Sequence, residues 1–173
     1  MEQQPKLRLR PLRLGDEGSF RAAQRAMEPE GFLFGFDYRD HLEWSAYVDA
    51  QEAGRLGRDL APGRVPATFL VAEAGGEIVG RSSIRHVLNE FLAREGGHIG
   101  YCVLSDYRRR GYATTILLQS LVIARALGVD RILVTCDDDN VGSAEVIERC
   151  GGVFEANIQS TDGRVSKRRY WID

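Results

Sequence analysis

The chain has 173 residues, enough for one domain with a full core and no demand for a second. Its 23 Lys and Arg nearly balance its 25 Asp and Glu, for a net charge of -2. A whole-protein attraction to nucleic acid or to an anionic membrane is therefore excluded, and any basic site must be local.

The opening stretch MEQQPKLRLRPLRLGDEG lacks the apolar centre of a secretory leader. No window approaches the roughly 18 apolar residues of a membrane span, so the cytoplasm is the expected compartment. KLRLRPLRL alternates apolar and polar residues with the period of a half-buried strand. Asp16 reads as the N-cap of a helix running to about Met27. Pro29 to Tyr38 is a glycine-punctuated aromatic loop. Asp40 with Glu43 resembles a capping box for a helix bearing Leu42, Trp44, Tyr47 and Val48. TFLVAEA and EIVGRSSIRH read as strands joined by a Gly75-Gly76 turn.

VLNEFLAREGG then leads into a strand, HIGYCVL. DYRRRGYATTILLQSLVIARALG combines a basic turn with a long helix from about Gly111, stopped at Gly128. Apolar residues at 116–118, 121–123 and 127 cover most of its circumference, which predicts a buried helix. VDRILVTC reads as a buried strand, Asn140 as the cap of a helix that Gly151 stops, and Asp162-Gly163 as the turn of a last hairpin. Strand–helix–strand implies a parallel pair with a right-handed crossover. The expected fold is mixed α/β, one domain over residues 1–173. Cys102, Cys136 and Cys150 are odd in number and widely separated, as core thiols would be, and the histidines show no ligand spacing, so no metal is expected.

The basic turn carries the chemistry. The first turn of a helix leaves N–H groups unpaired, and with the positive end of the helix dipole they favour an anion. Gly111 lets phosphates approach the backbone, Ala113 keeps the next step small, and Arg108, Arg109 and Arg110 add charge. The loop looks built for a pyrophosphate. It matches neither GxxxxGK with Ser or Thr nor GxGxxG.

The segment HIGYCVLSDYRRRGYATTILLQSLVIARALGVDRILVTCDDDNVGSAEVIERCGGVFE resembles the GNAT superfamily of acyl-CoA-dependent N-acyltransferases. Arg108-x-x-Gly111-x-Ala113 matches its acyl-CoA loop, and Asn140 with the helix end at Gly151 matches its next block. The resemblance implies a central mixed, mostly antiparallel sheet in which the strands 97–104 and 131–136 splay apart around the pantetheine arm. By the same resemblance the backbone of Cys102, Val103 and Leu104 would bond the arm. The N–H groups of Arg109, Arg110, Gly111, Tyr112, Ala113 and Thr114 would hold the pyrophosphate, and Asn140 and Ser143 would lie by the pantetheine.

The implied reaction is attack of a primary amine on the thioester of acetyl-CoA. His98 is the candidate base, because a neutral imidazole accepts a proton at working pH; His86 and Tyr101 are weaker candidates. The Val103 N–H is the candidate oxyanion donor. The family often carries a tyrosine acid seven residues after the asparagine; here that position is Ile147, which leaves Tyr170 as a substitute. Ile147 also keeps open the alternative of an acyl-CoA-binding sensor or interaction module with little catalysis. Phe32, Phe34, Phe36, Tyr38, Arg85 and Asn89 are candidates for an acceptor pocket, with Arg85 placed to pair with an acceptor carboxylate. The expected partners are acetyl-CoA and an amine acceptor, with no nucleic acid or membrane, and a homodimer is left open.

Overall fold

The computed structural model describes residues 6–173, so the first five residues of the stretch examined for a leader lie outside the described residues. Seven strands form one sheet: β1 (Arg8–Arg10), β2 (Ala67–Ala74), β3 (Glu77–Arg85), β4 (Ile99–Val103), β5 (Ile132–Asp137), β6 (Val153–Gln159) and β7 (Ser166–Ile172). Their spatial order is β1-β2-β3-β4-β5-β7-β6. Every neighbouring pair is antiparallel except β4 and β5, which are parallel. The mixed α/β sheet read from the sequence is thus present, with its parallel pair at the expected place.

The two-residue period of the strands splits the core into two layers. Phe69 and Val71 of β2 join Phe20 and Met27 of α1 (Glu17–Met27) and Trp44 and Tyr47 of α2 (Trp44–Arg55) on one face. Phe20 is fully buried there among the rings of Phe34, Tyr38, Trp44, Tyr47 and Phe69. Leu70 points the other way, to Leu117 and Leu121 of α3 (Tyr112–Ala126) and Ile147 of α4 (Val141–Arg149). Burying each such side chain contributes about 1.5 to 3 kcal/mol.

Three local expectations change. Asp16 does not cap α1 with its side chain. Its carboxylate instead takes a forked pair of bonds from Arg10 (2.7 and 2.8 Å) and one from the Arg13 N–H (2.8 Å). Arg10 also donates to Glu73 on β2 (2.6 Å), so a buried charge network, stronger than a cap, has captured Asp16 and fixes β1. Second, Glu43 rather than Asp40 caps α2, accepting from the Ala46 N–H at 2.8 Å.

Third, α3 is not buried all round: Leu118 is 49% and Val122 66% exposed. The helix lies on one face of the sheet, and nothing among the described residues covers its far side. Gln119 ties α3 to β1 through the Leu9 N–H (2.9 Å) and the Leu7 carbonyl (3.0 Å). The Gly75-Gly76, Gly128, Gly151 and Asp162-Gly163 turns fall where the sequence places them, and all three cysteines are free and buried. No helix among the described residues is long and apolar enough to cross a membrane.

Candidate active site

The parallel pair is joined at one end only. Ile99 opposite Val134 is its single ladder position, with the His98 N–H donating to the Leu133 carbonyl just before it at 2.7 Å. Gly97 makes this close approach: its φ is 64°, and a Cβ there would sit 2.7 Å from the Leu133 oxygen. Beyond Ile99 the strands part. β4 meanwhile stays paired with β3 through Val103, opposite Gly80.

The alternation of an antiparallel ladder decides which main-chain groups face the gap. The Leu104 N–H donates to the Val79 carbonyl at 2.9 Å, which turns Leu104, and by alternation Cys102, toward β3. Tyr101 and Val103 therefore present their main-chain groups to the gap. The expectation that Cys102 and Leu104 would bond an arm in the gap is corrected on that ground, whereas Val103 is aimed into it.

At the wide end of the gap lies the basic loop before α3. Arg109 and Gly111 both adopt left-handed backbone, with φ of 63° and 77°, which curls successive N–H groups inward as an anion-binding nest. The N–H groups of Arg109 and of residues 111–114 donate to no acceptor among the described residues; within α3 the Thr115 N–H is the first to do so, to the Gly111 carbonyl at 3.2 Å. A Cβ on Gly111 would meet nothing within 4 Å, so the chain is uncovered at Gly111 itself. The residues thus fit a diphosphate at the helix start.

The arginines divide the work differently from the sequence reading. Arg108 turns back, donating to the Val103 carbonyl (3.0 Å) and to Glu30 (2.7 Å). It braces the end of β4 and does not reach outward. Arg110 lies against the Tyr107 ring and donates to the Asp106 carbonyl at 2.9 Å. Asn140 caps α4 as expected, its side-chain oxygen accepting from the Ser143 N–H at 3.1 Å.

Tyr101 and Ser143 meet across the gap, their hydroxyls 3.0 Å apart. Burial pushes the Tyr101 hydroxyl up to about 12, so it remains protonated. Burial likewise pushes the Cys136 thiol up to about 11, which keeps it an unreactive thiol. Tyr170, the sequence candidate for the acid, is 1% exposed and donates to Glu148 at 3.1 Å. Glu148 lies near the far end of α4, a rise of about 7.5 Å from Ser143, so Tyr170 points along the helix and away from the gap.

His98, the sequence candidate for the base, is buried, and its Nδ1 accepts the Leu133 N–H at 2.9 Å. That bond uses the lone pair and leaves the proton of the neutral ring on Nε2. Burial, and then the nearby Arg85, hold its pKa below the ordinary value of 6.5. The geometry is that of a strand fastener rather than a base. Ile147 is fully buried in the core below α4.

On the opposite face of the sheet, a cleft of about 1180 Å³ opens between α2, the 58–65 loop and β2–β3. Its inner wall includes Phe36, Tyr47, Phe69, Ser83 and Arg85. Arg81, 2% exposed, organises the aromatic loop beside it. Its guanidinium donates to the carbonyls of Leu33 (3.1 Å), Phe34 (3.1 Å) and Gly100 (3.0 Å) and packs on the Phe32 and Phe36 rings at 4.8 and 4.6 Å. Sequence reasoning did not single out Arg81. A lone arginine inside an apolar strand was the available signal.

With this geometry in place, the family and fold comparisons agree. A family model described as an acetyltransferase (GNAT) domain matches residues 6–153. No curated protein matches the chain. Among solved structures, RimJ of Mycobacterium smegmatis in complex with CoA-disulfide is 23% identical, covers 98% of this chain and 84% of its own, and has a TM-score of 0.71. The microcin C7 self-immunity acetyltransferase MccE, with acetyl-CoA and AMP, is 15% identical, with 96% and 92% covered and a TM-score of 0.70. The yncA structure from Salmonella typhimurium with acetyl-CoA is 15% identical, with 96% and 93% covered and a TM-score of 0.66.

Proposed function

The chain belongs to the GNAT acetyltransferase family, and from that premise we propose that it transfers the acetyl group of acetyl-CoA to a primary amine of a small molecule or peptide. The observation that carries this reading is the set of N–H groups of Arg109 and of residues 111–114, which donate to no acceptor among the described residues and stand at the wide end of the β4–β5 gap. The acetyl-CoA bound by relatives of the same fold supports it.

When bound, acetyl-CoA supplies the reactive acyl group and a thiolate leaving group. The chain's own residues divide three tasks. The loop amides and the α3 dipole hold the diphosphate. The Tyr101 main chain offers a ladder position to the amides of the pantetheine arm, and the Val103 N–H stabilises negative charge developing on the acyl oxygen. The Tyr101 hydroxyl, steadied by Ser143, donates to the departing sulfur. A thiol ionises near 8.5, so its thiolate is a weaker base than tyrosinate at about 12, and Tyr101 assists by hydrogen bonding while keeping its proton.

Attack requires the neutral amine. One proton therefore leaves the ammonium in solution before attack, and with the Nδ1 lone pair of His98 engaged, the second proton, released from the nitrogen as the amide forms, passes to water. An α-amine, with a pKa near 8, is roughly a tenth neutral at pH 7, whereas a lysine-like amine near 10.4 is neutral in far less than a hundredth. α-Amines are therefore the favoured acceptors, in a cytoplasmic setting.

Thiol release from acetyl-CoA with a panel of amines, beside titration calorimetry with CoA, tests the reading. Binding with amine-stimulated release is expected. Binding without stimulated release would instead leave an acyl-CoA-binding module. No binding would remove both.

A further inference from the structure

Arg85 is a cation without a counter-ion among the described residues. It forms no ion pair with any described residue, and its one hydrogen bond is a long one, 3.3 Å, from NH1 to the Gly96 carbonyl. Its guanidinium lies over Gly100, where a Cβ would come within 3.0 Å of NH1, and 5.8 Å from the Phe36 ring. The nearest charges that act on it are those of Arg81 and Arg64, both positive. Arg81, on the same strand, forms no ion pair with described residues either. Two cations share one apolar wall, and burial with that repulsion pulls Arg85 down to about 10. A partly buried charge kept unpaired next to a like charge is costly, and folding alone gives no reason for it.

Position supplies the reason. Asp37, Asp49, Asp59, Glu90, Arg58 and Arg64 of the cleft wall are all exposed, at its mouth, and Asp37 is already paired with Arg64 at 2.6 Å. At the inner end Arg85 is the one charged group among the described lining residues, set among Phe36, Tyr47, Phe69 and Ser83. The cleft lies on the α1–α2 face of the sheet, whereas the loop and α4 lie on the other. Arg85 therefore sits over β4 at the side of the gap from which an acceptor would come. Gly100 is three residues from Val103, about 10 Å of strand.

Resting on the acetyl-transfer reading above, we infer that the acceptor carries a carboxylate that docks on Arg85 while its amine reaches the gap. The carboxylate completes the charge that the fold leaves uncompensated, and the guanidinium offers it a two-pronged bond. The span asks for a carboxylate that stands several ångströms from the amine, up to about 10 Å. The side-chain carboxylate of an acidic amino acid, free or at the start of a peptide, can stand off from its α-amine in this way.

Matched acceptors, all with an α-amine, separate the charge from other features: the α-amide of glutamate against that of glutamine, and peptide amides beginning with Glu against Gln. In wild type the carboxylate member should be favoured about 10- to 100-fold in kcat/KM. The pair that shows the larger preference identifies the source, small molecule or peptide. In Arg85→Met that ratio should fall toward one, mainly through KM of the carboxylate member, and Arg85→Lys should restore part of it. A merely structural defect would lower both members alike and keep the ratio. The same pairs are titrated by calorimetry in the presence of CoA, so the inference is tested even if no acceptor turns over. Tighter binding of the carboxylate member in wild type and not in Arg85→Met supports it with or without catalysis. Equal binding of the two members by wild type, or an unchanged ratio in the variant, overturns it and leaves the acetyl-transfer reading intact.

Discussion

His98 and Leu133 hold each other twice: the His98 N–H donates to the Leu133 carbonyl at 2.7 Å, and the Leu133 N–H donates to His98 Nδ1 at 2.9 Å. Protonating the ring destroys the second bond, and burial opposes the charge. The pKa of His98 is thus depressed in the fold. The unfolded chain binds the proton more readily, so stability is full above the unfolded value of 6.5 and is lost as pH falls below it toward the folded pKa. The slope for one such group is at most about 1.4 kcal/mol per pH unit. His86 is depressed as well, by burial, and contributes equally to both proteins compared. Urea unfolding of wild type and His98→Gln between pH 7.5 and 5.5 should show a shallower decline in the variant. Parallel curves would refute the fastener role.

Gly111 holds the anion nest open at a φ of 77°. A β-branched residue strains there by about 1 to 2 kcal/mol. Gly111→Val should weaken CoA binding about tenfold or more by calorimetry. A variant that binds as wild type does would show that the loop amides are not the grip.

The Tyr101–Ser143 pair should act in the chemical step. Tyr101→Phe removes a donor to a developing thiolate, a loss of about 10- to 100-fold in kcat. CoA affinity should change little. Ser143→Ala, which only releases the hydroxyl from its tether, should cost less. A Tyr101→Phe enzyme with normal single-turnover rates would sink the assignment.

Arg81 bridges Leu33, Phe34 and Gly100 with one planar fork. Lysine keeps the charge but cannot reach all three carbonyls. Arg81→Lys should destabilise by about 1 to 3 kcal/mol and raise the acceptor KM with CoA affinity intact. Thermal melting and steady-state kinetics read the two effects separately.

Restoring the family's tyrosine should not restore an acid. Ile147 is fully buried, and a Cβ on Gly152 would already lie 2.5 Å from its Cγ2. Ile147→Tyr should overpack the core by about 1 to 3 kcal/mol and leave kcat no higher. A faster enzyme would mean that α4 can rotate to accommodate the ring.

The loop, the Asn140 cap, the hairpin turns and the parallel pair were legible because each rests on local chemistry: a glycine where φ is positive, a side-chain cap, an alternating run. Asp16 and Asp40 were misread because capping competes with partners far away in sequence. Arg10 outbid the α1 N-terminus for Asp16, and Glu43 lay nearer to the first turn of α2. The roles of His98 and Tyr170 turned on what their polar atoms touch. Leu133 and Glu148 lie 35 and 22 residues away in the chain, and no spacing rule reaches them. Arg85 was noticed by residue type, but its lack of a counter-ion became visible only once every acid near the cleft had a place.

The splay makes a rim inside the sheet. The main-chain N–H groups of Tyr101 and Val103 sit in the fourth of seven strands, yet no strand is bonded to them on the gap side. Deuterium uptake at these two amides should be quick, as at an outermost strand, while Cys102 between them stays protected. A rim enclosed between two strands also escapes the usual hazard of an unpaired strand, because no second chain can lie flat against it. Only something as slender as an extended, amide-bearing thread can complete that ladder, and the fold's middle layer is finished only while its cosubstrate is in place.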